Sequence, residues 1–172
     1  MRALRFTLAM VVAALLQFAG MQLFPRFTLA VDFFLLFTIF NALDGATMAG
    51  MVGGCVAGLL TDAITGGPFG LFGFANTVVG FSTATAAQRL VIQRAASSLL
   101  VFSLAAAAQQ AVVLALALLL LPSPGAPDFR WITVKVASTG LLGLGLYLGQ
   151  GRFMSRMEVW RRTRTSKIRF GR

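Results

Sequence analysis

From Ser97 to Leu121 the chain carries no charged residue. A helix needs roughly 20 mostly apolar residues to cross the hydrocarbon core of a bilayer, and this run exceeds that length. The rest of the chain has the same character. Of its 172 residues, 58% are hydrophobic and 12% charged, about half the charge of a soluble domain, and the mean hydropathy is +0.83. These values exclude a cytosolic globular protein and a disordered one, and leave a membrane protein.

Six apolar segments are separated by charges and helix breakers. The first is Phe6–Phe24, closed by Pro25-Arg26. Its basic start resembles a signal peptide, but bulky Gln22-Leu23-Phe24 replaces a small-x-small cleavage site, so it reads as a retained helix. The second is Leu29–Leu43, closed by Asp44-Gly45, and the third is Thr47–Thr61, closed by Asp62 and Gly66-Gly67-Pro68. The fourth is Phe69–Gln88, followed by a short basic loop from Arg89 to Arg94. After Ser97–Leu121 comes the turn-rich stretch Pro122-Ser123-Pro124-Gly125-Ala126-Pro127-Asp128, and then the sixth segment, Trp131–Gln150. The expected fold is an all-α polytopic membrane protein with six transmembrane helices, a single transmembrane domain over residues 1–151 and a basic tail over 152–172. The second and third segments are short, about 22 Å each as helices, so neighbours must shelter them or residues 29–61 form a re-entrant hairpin.

The charges set the orientation. Lys and Arg number 15 against five Asp and Glu, a formal net charge of +10. Six spans put Arg2, Arg5, Arg89, Arg94 and the eight Lys or Arg from Arg152 to Arg172 on one side. Arg26, Arg130 and Lys135 fall on the other. The positive-inside rule then places both termini in the cytoplasm. In the tail, Phe153, Met157 and Trp160 recur at helical spacing, which suits a surface helix on anionic lipid. A docking segment for a cytoplasmic partner is the alternative, and nucleic acid is not an expected partner. Histidine is absent, which removes histidine-based metal sites and Ser-His catalysis. Cys55 has no second cysteine to pair with. No metal, cofactor or catalytic residue is expected.

Three features stand out. Gly50, Gly54 and Gly58 recur every four residues along the third segment, a stripe that lets helix backbones approach closely, within the protomer or at a homodimer or partner interface. Gly140, Gly143, Gly145 and Gly149 repeat the device in the sixth. Phe33, Phe37 and Phe40 share one face of the second segment, packing internally or forming a groove for a partner's transmembrane helix. Asp32 and Asp62 are among the few acids, and a carboxylate in a membrane is paired, capping or functional. Asp32 stands where it can cap the second helix. Asp62 closes the third, where the helix dipole disfavours it, so Arg26 or the backbone of the Thr65–Gly70 turn is its expected partner. In that turn Gly66 and Gly67 permit positive φ, Pro68 suits a first helical turn, and Gly70 and Gly73 let the next helix pack closely.

The ordered set Val31-Asp32-Phe33-Phe34-Leu35-Leu36, Ala49-Gly50, Gly58-Leu59-Leu60-Thr61-Asp62 and Gly67-Pro68-Phe69-Gly70-Leu71 resembles the rod shape-determining protein family MreD. In that family a Pro-Asp pair opens the second helix; here Val31 takes the place of the proline. The resemblance runs from about residue 31 to 90 and implies a non-enzymatic protein of the bacterial inner membrane. It would serve cell elongation and peptidoglycan synthesis, binding the bitopic protein MreC and sitting with MreB, RodA and a class B penicillin-binding protein. It also implies likeness to the six-helix S components of energy-coupling-factor transporters, so a vitamin-type binding subunit is the alternative. Asn41, Asn76, Gln109 and Gln110 are the buried polar groups available for such a pocket. A di-aspartyl protease is disfavoured, since Asp44 and Asp62 lack a Gly-x-Gly-Asp setting.

Overall fold

The computed structural model describes residues 2–24, 27–43, 46–89, 95–120 and 128–169; of residues 2, 3, 5, 89, 95, 96 and 150–169 it describes the backbone alone. The helices are α1 (Arg2–Leu23), α2 (Phe27–Ala30), α3 (Phe33–Ala42), α4 (Thr47–Thr65), α5 (Leu71–Arg89), α6 (Ala95–Leu120) and α7 (Phe129–Arg169). Among the described residues no strand occurs. Among the described residues, four helices hold stretches long and apolar enough to cross a membrane: Phe6–Leu23, Thr47–Thr65, Ser97–Leu120 and Phe129–Gly149. Helix α5 has 19 residues, but Asn76, Thr77, Ser82, Thr83, Thr85 and Gln88 dilute its apolar character.

The expected second span differs most from a plain helix. It is broken after Ala30, where the Val31 N–H still closes α2 on the Phe27 carbonyl at 2.8 Å, and Asp32 is extended at φ −130° before α3 begins. The ten residues of α3 rise about 15 Å. Non-helical backbone of this kind is tolerated at membrane depth only inside protein, and α3 is the central helix. Leu35, Leu36 and Ile39 pack with Val79 of α5 and Phe102, Ala105 and Ala106 of α6. Phe34, on the other side, packs with Met10 and Ala13 of α1 and Ala57 of α4. The outer faces are apolar, with Leu8, Leu15, Leu104, Leu119 and Leu141 exposed, as lipid contact demands.

The chain alternates direction. Phe6 meets Phe37 and Gln17 meets Phe33, so α1 and α3 are antiparallel. Gly50, Gly54 and Gly58 lie against Gly80, Asn76 and Phe72, so α4 and α5 are too. Gly140 meets Ser103 and Gly143 meets Phe102, which makes α6 and α7 antiparallel. Phe40 also touches Phe102 at 5.9 Å, so the start of α1, the end of α3 and the later turns of α7 share one end of the bundle. Helix α7 then runs on unbroken to Arg169, so the tail backbone is a continuation of the last span; the side chains of Phe153, Met157 and Trp160 fall outside the described residues, as do Asp44 and Arg26.

Candidate functional site

The helix break creates polar groups that need partners. Gln17, buried on α1, spans it: its Nε2 donates to the Val31 carbonyl at 3.3 Å and its Oε1 accepts from the Phe33 N–H at 3.0 Å. Asp32 does the rest. Its Oδ1 accepts from the Leu35 N–H at 3.0 Å, so it caps α3. Its Oδ2 lies 3.1 Å from Lys135 Nζ of α7 and accepts from Gln109 Nε2 of α6 at 3.3 Å. Both charged side chains are sealed, at 5% and 2% exposure. The Lys135 ammonium also stands 5.1 Å above the Phe72 ring of α5, a cation–π contact that strengthens where water is excluded. One turn on, Ser138 donates to the Ala30 carbonyl, fixing α7 against α2.

From Asp32 the network passes through Gln109 to Asn76, whose Oδ1 accepts from Gln109 Nε2 at 2.7 Å. Asp32, Asn76, Gln109 and Lys135 thus join α3, α5, α6 and α7 around one charge pair. A buried pair of this kind is held by hydrogen bonds on its remaining valences, and losing one member leaves an uncompensated charge. The expected outward-side position of Lys135 did not anticipate this. The available signal was Asp32 itself: a membrane carboxylate calls for a cation, and Lys135 lies within the sixth apolar segment.

A second carboxylate organises the turn between α4 and α5. Asp62 Oδ2 accepts from the Gly70 and Gly73 N–H groups at 2.9 and 3.0 Å, and Oδ1 from Phe72 N–H at 3.0 Å. It is 1% exposed and occupies the electropositive start of α5. Of the two partners expected for it, the Thr65–Gly70 turn supplies one bond, from Gly70, and the other two come from Phe72 and Gly73 in the first turn of α5. Gly66 at φ 66° and Gly70 at φ 100° carry the positive φ values, while Gly67 does not. Pro68 lies before the helix, since α5 starts at Leu71 where the sequence suggested Phe69.

The other expected residues are placed as follows. Gly50, Gly54 and Gly58 face α5 so closely that a methyl group on Gly54 or Gly58 would collide with the Asn76 or Phe72 carbonyl. Gly145 and Gly149 meet nothing within 4 Å. Phe33, Phe37 and Phe40 are half-buried and rest on Phe27, Phe6 and Phe102, at 6.1, 5.1 and 5.9 Å between ring centres. Asn41 Nδ2 donates to the Ala49 carbonyl at 3.0 Å, closing the α3–α4 hairpin. No group of His, Cys, Asp or Glu among the described residues is arranged to hold a metal ion.

A family model described as rod shape-determining protein MreD matches residues 1–123, a stretch that contains α1 to α6 and ends before α7. No curated protein and no solved structure matches the chain.

Proposed function

The chain belongs to the MreD family of rod shape-determining membrane proteins, and from that premise we propose that it is a non-catalytic scaffold of the bacterial cell-elongation machinery. It sits in the inner membrane with both termini in the cytoplasm, crosses the bilayer six times, and docks the bitopic protein MreC in support of peptidoglycan synthesis. MreB, RodA and a class B penicillin-binding protein are the wider partners, and the basic tail rests on anionic lipid. The family match over α1 to α6 carries this reading. The interior is consistent with it, because Asp32, Asn76, Gln109 and Lys135 bond one another across four helices. Phe33, Phe37 and Phe40 each keep an outer edge beside the bundle. The glycines at 50, 54 and 58 hold α4 and α5 tightly enough to present one fixed shape to a partner helix.

Two measurements test it. With Cys55→Ala as background, Phe37→Cys is expected to crosslink to the transmembrane helix of a co-expressed MreC-like protein, and the pair is expected to co-purify in mild detergent. Depletion is expected to widen and round the cells. Normal cell width together with no captured partner overturns the proposal. Under the alternative, a vitamin-type binding subunit with the S-component fold, a candidate vitamin would raise the unfolding temperature of the purified protein.

A further inference from the structure

Helix α6 turns one face away from the bundle and outlasts its neighbours at the outer end. Leu100, Leu104, Ala107, Ala111, Ala115 and Leu118 are exposed, and their spacing of three or four residues places them on one side of the helix. Alanines fill the middle of this face and leucines its two ends. The outward face of α1 is bulky throughout by comparison, with Leu4, Leu8, Val11, Leu15 and Phe18 exposed. The overhang follows from the register of α6 on its neighbours. Gly140 of α7 lies against Ser103 of α6; from that level α7 reaches its start at Phe129 about 16 Å further out, and α6 reaches Leu120 about 26 Å further out. Gly143 against Phe102, and Asn76 of α5 bonded to Gln109, give the same sense. The end of α6 therefore projects about 6–9 Å past the starts of α5 and α7. Leu118, Leu119 and Leu120 in this overhang are 61%, 82% and 65% exposed.

Acyl chains account for the middle of this face but not for its outer end. Arg130, exposed in the first turn of α7, marks the edge of the apolar core, because a charge is costly any deeper. The leucines of the overhang stand beyond that level. We propose that α6 packs against α6 of a second copy of this chain, the two helices parallel and related by a twofold axis along the membrane normal. The occupant of this face must be apolar at mid-bilayer and stay apolar past the level of Arg130. A second α6 meets both needs at the right heights, because two copies lie in the membrane the same way up. The stretch from Ser97 to Leu120 carries no charge, so like meets like without repulsion. Such an interface is isologous, with each residue near the axis facing its own copy. Ala107, Ala111 and Ala115 let the two backbones approach closely, and Leu118 and Leu119 of each copy cover those of the other where the acyl chains end. The pairing does not depend on the proposed MreC-like partner.

Cysteine crosslinking in native membranes tests the pairing. In the full-length Cys55→Ala chain, Ala111→Cys and Leu118→Cys are each expected to give a disulfide-linked dimer on mild oxidation. Leu15→Cys, exposed on α1, reports random collision and is expected to stay monomeric. Dimer no more abundant at the two α6 positions than at Leu15→Cys overturns the proposal. Crosslinking of Leu118→Cys to a different protein in place of a second copy overturns it as well. A second measurement needs no crosslink: the mass of the Cys55→Ala protein in lipid nanodiscs is expected to be that of two chains, and a single chain there also overturns it.

Discussion

Removing the ammonium of Lys135 would strand the Asp32 carboxylate among apolar side chains. Lys135→Met is expected to lower stability by about 3–5 kcal/mol, the usual result of breaking a buried pair from one side. Adding Asp32→Asn should restore much of the loss, because the amide keeps an acceptor for the Leu35 N–H and no longer needs a cation. Thermal unfolding of the two singles and the double in one detergent closes the cycle. Asp62 follows another logic, since its partners are backbone N–H groups. Asp62→Ala leaves three of them unmet, at about 1–3 kcal/mol, and amide exchange at Gly70, Phe72 and Gly73 should quicken relative to the middle of α5. Much of this was legible from residue type: Asp32 was readable as a cap and the turn backbone as a partner for Asp62. The network was not, because Gln109 and Asn76 are distant in sequence and nothing in an apolar helix pattern says which face a lone amide takes.

At the scale of the helix, two glycine stripes that look alike behave differently. Gly54 and Gly58 sit under the carbonyls of α5, whereas Gly145 and Gly149 have open space beside them. Gly54→Ala or Gly58→Ala is expected to push α4 and α5 apart and reduce the yield of monodisperse protein. Gly145→Ala is expected to be neutral or to gain up to about 1 kcal/mol from helix propensity. Size-exclusion profiles and unfolding temperatures separate these cases. Spacing alone marked both stripes; which one is filled depends on the path of the neighbouring helix. The break between α2 and α3 was hidden for a related reason. The run from Leu29 to Leu43 is uniformly apolar apart from Asp32, Thr38 and Asn41, and its interruption at Val31-Asp32 is stabilised from outside by Gln17 and Lys135.

For the molecule as a whole, the alternating helices put the start of α1 and the far turns of α7 at one end and the Asp62 turn at the other. In cells carrying Cys55→Ala, Gly67→Cys is expected to react with a membrane-impermeant maleimide added outside, while a cysteine appended after Arg172 reacts only once the membrane is opened. Labelling of the two in the reverse order would invert the proposed orientation. The helical class and the rough positions of the helices could be read from apolar runs and breakers; the broken second span and the long continuous α7 could not, since both depend on backbone continuity that composition does not record. The Asp32–Lys135 pair also has a meaning in time. Ribosomal synthesis delivers the aspartate to the membrane long before its lysine exists, so until α7 arrives the carboxylate has no cation beside it. The unfinished chain is therefore held short of its native arrangement, and entry of α7 is the event that closes it.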